Sequence, residues 1–147
     1  RSLDPVLPIE GPYVAMSLSP DGTRIAHFRA EKPSTRTLAL LPLDGGERKV
    51  LFEDTQGQGF SLTGGIAWEP DGRHLLVLRN TVRADGVREL VRISTTGGAP
   101  VPVGFSMEGL TGPEVSPDGR WISFRAGRNR SEMWAMDGLL EAVRRAR

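Results

Sequence analysis

The chain has no cysteine, only two lysines and a single tyrosine among 147 residues. Without thiols it can build neither a disulfide framework nor a thiolate metal site, and its composition carries no mark of a redox compartment. Its net charge is only +1, short of the basic excess that a phosphate-neutralising domain carries, so neither nucleic acid nor a membrane surface is expected as a partner. No apolar run approaches the ~20 residues that a membrane-crossing helix needs. All 19 basic residues except Lys32 and Lys49 are arginine, a bias that genome composition explains more simply than a set of phosphate forks. The chain opens on Arg1-Ser2-Leu3-Asp4, with no basic segment leading into an apolar one, and reads as a mature product or a piece of a longer chain.

Glycine and proline, by contrast, are plentiful, and they recur. Ser19-Pro20-Asp21-Gly22, Glu69-Pro70-Asp71-Gly72 and Ser116-Pro117-Asp118-Gly119 lie 50 and 47 residues apart, each followed by a short apolar run. A period near 50 in a β-rich chain signals stacked sheet units. Proline sets φ at the first corner of a turn, aspartate offers an acceptor to the turn backbone, and glycine takes positive φ, so Asp21-Gly22, Asp71-Gly72 and Asp118-Gly119 are read as structural hairpin turns. The strands expected in the first repeat are 13–18, 23–29, 36–43 and 47–52, and in the second 65–68, 74–79, 88–94 and 100–103. Leu75 to Leu78 is apolar without alternation, the pattern of a strand covered on both faces. The third repeat begins alike but passes from Asp137-Gly138 into 139–147, where Leu139, Leu140 and Val143 share one helical face ahead of a cationic end. The expectation is an all-β fold of three antiparallel blades, about 12–54, 62–105 and 110–137, with a helix at 138–147.

With Gly45-Gly46 and Gly97-Gly98 closing the second hairpin of two repeats, the pattern resembles the PD40, or WD40-like, repeat of TolB-type β-propellers. That family also includes the propellers of prolyl-oligopeptidase-like peptidases. The resemblance covers nearly the whole chain. It implies propeller blades, here the C-terminal three of a bacterial multidomain protein, and a non-catalytic module for binding a protein, peptide or ligand. The alternative it leaves is a substrate-gating propeller belonging to a serine peptidase. The second repeat departs from the motif in carrying Glu69 in place of serine.

No catalytic, cofactor or metal motif accompanies the repeat. Gly104-Phe105-Ser106-Met107-Glu108 lacks the closing glycine of a nucleophile elbow, and Gly57-Gln58-Gly59 has neither a third glycine nor a following helix to cradle a phosphate. It reads as a flexible loop between blades. His27 and His74 sit at unlike positions in their repeats, outside any metal-ligand spacing, and are expected as partly exposed strand residues. Trp68, Trp121 and Trp134 are expected to pack between blades. Neither enzyme activity nor a cofactor is expected. Arg29, Arg79 and Arg125, near the ends of the second strands, are the candidate partner-binding residues, suited to acidic groups. The loops 30–36, 80–88 and 127–131, with 54–63 and 106–112 between blades, are expected to share one face and form the binding surface, because the opposite connections are tight turns.

Three blades do not close a ring, and an open arc exposes its end faces. Residues 5–10 read as a further short strand, and the third repeat lacks a fourth strand of its own. The expected assembly is therefore a homodimer, two three-blade halves forming a six-bladed ring, each copy lending 5–10 to the other's third blade.

Overall fold

Each Pro-Asp-Gly tetrapeptide folds into the same hairpin turn. The amides of Gly22, Gly72 and Gly119 donate to the carbonyls of Ser19, Glu69 and Ser116 at 2.8–2.9 Å. The glycines sit at φ of 65–70°, a region that side chains avoid. Around these turns the computed structural model describes residues 13–32, 35–55, 59–60, 65–81 and 86–127. The expected strand at 5–10, the helix at 138–147 and Trp134 lie outside them.

Among the described residues ten strands form three antiparallel sheets. β1 (Tyr13–Leu18), β2 (Arg24–Lys32), β3 (Thr35–Pro42) and β4 (Lys49–Asp54) make the first. β5 (Ile66–Trp68), β6 (His74–Asn80), β7 (Val87–Ser94) and β8 (Val101–Glu108) repeat it, and β9 (Thr111–Val115) with β10 (Ile122–Arg125) begins the third. Within each sheet the strands neighbour one another in chain order, so each sheet is a meander, and β5 packs between β1 and β9. This is the stacking of propeller blades.

Two differences from the sequence reading stand out. β8 runs on to Glu108 and β9 starts at Thr111, so the connection expected over 106–112 shrinks to Gly109-Leu110. The fourth strand of the first sheet spans Lys49–Asp54, two residues later than its turn chemistry suggests. In both cases pairing with the third strand, through a bulge at Leu38/Ala39 and another at Glu89/Val91, carries the edge strand past the point where local composition breaks.

The core lies between blades. Phe28, Leu38 and Leu51 of the first sheet meet Trp68, Leu75 and Val77 of the second, and Leu76, Leu78 and Leu90 on the other face of that sheet meet Leu110 and Val115. Leu75 to Leu78 are accordingly all buried, each worth about 1.5–3 kcal/mol of transfer free energy. His27 is buried too, contrary to the exposed strand position expected of it: it stands in a row with Ala39, itself fully buried, across the β2–β3 pair.

The ends of the arc differ from its middle. Ile66 and Trp68 on β5 are 8% and 7% exposed because the first blade covers them, whereas Met16 and Leu18, the corresponding residues of β1, are 58% and 56% exposed. On the outermost strands Leu51 is 5% exposed, and Val103, equally far past its Gly-Gly turn, is 46% exposed. Trp121, expected between blades, is 71% exposed.

Candidate functional site

The two ends of the blades present different chemistry. At the end carrying the longer connections, a pair of equivalent arginines tie down the links between blades. Arg36 on β3 donates from Nη1 to the Phe60 carbonyl at 2.9 Å, and Arg88, 52 residues on, does the same to the Leu110 carbonyl at 2.8 Å. Beside Arg36, Asp54 accepts the Gly59 amide at 2.9 Å, and the Gly59 carbonyl accepts the Asn80 amide. Gly59 and Phe60 are thus anchored, with Phe60 packed into the inter-blade core, while Gly57 and Gln58 of the expected flexible loop lie outside the described residues.

The three candidate arginines are not gathered into one cluster. Arg79 is opposite Glu89 across the β6–β7 pair and forks onto one carboxylate oxygen, at 2.9 Å from Nε and 2.7 Å from Nη2. Arg29, at the same place in the first repeat, has a buried Nε with no acceptor among the described residues. Arg125 is exposed and comes one residue earlier in its repeat, which turns it to the opposite face of its blade; its guanidinium lies over Gly112. Backbone bonds Gly109 to Gly86, Thr81 to Val87 and Gly127 to Glu108 join the described parts of these connections at this end.

At the opposite end the turn aspartates are engaged by their own turns. Asp21 Oδ1 accepts the Ser19 hydroxyl at 2.5 Å, the Thr23 amide at 3.0 Å and the Thr23 hydroxyl at 2.8 Å, and these bonds hold its carboxyl down to about 2 from an ordinary 3.8. Asp118 is lowered by the Ser116 hydroxyl and then the Arg120 amide. Asp71, without a serine neighbour, is lowered chiefly by the Arg73 amide.

Where serine is missing, a different group of side chains assembles. Glu69 swings out to meet Arg92 of β7, which donates to its two oxygens from Nε at 2.6 Å and Nη2 at 2.5 Å. The same Nη2 donates to His74 Nδ1 at 2.9 Å, and His74 lies 3.4 Å from Glu69 and 3.7 Å from Asp71. Glu69, Asp71 and His74 have the mutual spacing of a metal-ligand set, with ligand atoms within 4.8 Å. The guanidinium already occupies Glu69 bidentately, so a dication would have to displace a fixed cation. The arrangement is an ion-paired brace from the β5–β6 turn to β6 and β7. It borders an open cleft of about 370 Å³ between the second and third blades, floored by Leu76, Val115 and Ile122 and rimmed by Asp71 and Asp118. The sequence signal for it is Glu69 itself, the one break in an otherwise regular tetrapeptide; its partner, 23 residues away, becomes visible only with the strand register.

No family model matches the chain. Among solved structures it is similar to TolB from Acinetobacter baumannii, at 22% identity and a TM-score of 0.65 over 86% of this chain and 29% of that one. A putative TolB from Agrobacterium tumefaciens aligns at 19% identity and a TM-score of 0.43 over 82% of this chain and 56% of that one. The first likeness shows that the chain carries the TolB-type β-propeller fold, spanning 29% of the length of that structure.

Proposed function

We propose that the chain is a non-catalytic propeller module that binds a protein or peptide and assembles as a twofold pair of three-blade halves. The observation that carries this reading is the contrast between matched positions: Met16 and Leu18 stand bare where Ile66 and Trp68 are covered. A blade face is built to be covered, and exposed apolar patches of this kind mark interaction surfaces. Residues 5–10 of each copy complete the third blade of the other by strand addition. The bare Val101, Val103 and Met107 on β8 mark the part of the second blade that the outer strands of the third blade would cover.

The non-catalytic reading rests on the work the polar groups already do. The turn carboxylates satisfy turn amides, Glu69 pairs with Arg92, and Arg79 pairs with Glu89. Partner recognition falls to the end carrying the longer connections, through Arg29, Arg125 and Arg79, the last of which would exchange its Glu89 pair for the partner's acidic group. Deleting residues 1–10 tests the strand exchange: sedimentation equilibrium should show a weaker dimer. An unchanged dimer would remove those residues from the assembly.

A further inference from the structure

At the first junction between blades, residues at fixed places about the turns meet, and those places point to the residues that face each other between copies. Arg24, three residues past its turn aspartate, reaches the next blade: its guanidinium stands 5.3 Å over the ring of Trp68 and donates to the Gly72 carbonyl at 3.2 Å. Trp68, three residues before its own turn aspartate, answers by donating from Nε1 to the Ser17 carbonyl at 3.0 Å. Corresponding places at the second junction belong to His74, beside the cleft, and Val115, on its floor. The neighbouring turn is touched each time, since Gly72 lies against Arg24 and Gly119 against Pro70.

The third set of these positions is unpaired within the described residues. Trp121 is the residue past the last turn, and it alternates with Ile122, whose side chain lines the cleft toward the second blade. Trp121 therefore points away from the second blade, toward where a next blade would stand. Leu18 is the residue before the first turn, and Gly22 has nothing within 4 Å of the place a Cβ would take. Both Trp121 and Leu18 are large, apolar and exposed, and they lie at opposite ends of the arc.

We propose that Trp121 of one copy seats on Leu18 and Met16 of a second copy and against its Gly22 turn, in the place that Arg24 holds toward Trp68 and Gly72. This junction rests on the twofold ring proposed above and adds its register. A twofold axis makes the contact twice per ring, so each substitution acts at two places.

The test transplants the internal pair. Sedimentation equilibrium measures the dimer Kd of the intact chain, of Trp121→Arg and of Leu18→Trp combined with Trp121→Arg. Loss of an aromatic anchor should weaken the dimer by about 30-fold or more, and the double variant, which recreates an arginine over a tryptophan, should return to within about threefold of the original. Unchanged urea midpoints below the dimer Kd would show that the monomers remain folded, as expected for exposed positions. A dimer indifferent to Trp121→Arg overturns this junction and leaves the ring standing. Weakening without rescue by Leu18→Trp overturns the pairing of the two residues. An intact chain that stays monomeric at about 100 μM, where even weak specific dimers form, overturns ring and junction together.

Discussion

Replacing Phe60 with alanine removes a ring that the chain holds between its first two blades. Phe60 is 1% exposed, with its ring 5.4 Å from that of Phe28 and 5.0 Å, nearly edge-on, from that of Phe52. Burial of a phenylalanine contributes about 1.5–3 kcal/mol. Each aromatic pair adds about 0.5–1.5 kcal/mol, and the sum agrees with the roughly 3–5 kcal/mol measured for such truncations in cores. Against a total stability of about 5–15 kcal/mol this is a large share. The backbone around the residue is pinned by Arg36 and Asp54, which restricts collapse into the cavity. Urea unfolding at fixed protein concentration should show a lower midpoint at constant slope for Phe60→Ala, and a smaller loss for Phe60→Leu, which keeps most of the apolar volume but gives up both ring pairs. A loss below about 1 kcal/mol for Phe60→Ala would refute the placement of this link in the core, because only an exposed ring is that cheap to remove.

Arg36→Ala should cost about 1–2 kcal/mol in the same assay, since it leaves the Phe60 carbonyl without its charged donor, and Arg88→Ala should cost a similar amount at Leu110. In a double-mutant cycle Glu69→Ala and Arg92→Ala should couple by about 0.5–1 kcal/mol at low salt, less in high salt, because the pair is partly solvated; zero coupling would dismiss the brace. Asp21 has its carboxyl depressed in the folded state, so its stabilising effect is present above 3.8 and is lost as pH falls toward about 2. Asp21→Asn should therefore flatten the fall of the urea midpoint across that window, while Asp71 and Asp118, lowered in the same direction, retain the rest of the slope.

The features legible in the sequence are those governed by local chemistry. Pro20-Asp21-Gly22 and its two repeats declare their turns because φ, acceptor and αL glycine all lie within four residues. Leu75 to Leu78 announces a doubly covered strand by lacking alternation. What the sequence hides depends on contacts distant along the chain. Phe60 follows a glycine-rich stretch that looks free, yet Arg36, 24 residues earlier, fixes it. Pro102 and Gly104 look like a strand ending, yet pairing with β7 carries β8 to Glu108, with Gly104 at φ +82°. His27 looks like a surface residue of an ordinary strand but occupies a covered row. Glu69 is visible as an irregularity, while Arg92 is matched to it only through the register of β6 and β7.

In the proposed assembly three blades close into a ring by pairing with a second copy. Multi-angle light scattering of the intact chain at micromolar concentration tests it most directly. A single species of about 32 kDa, twice the 16.0 kDa of the chain, is expected, and a folded, monodisperse 16.0 kDa monomer would rule the ring out.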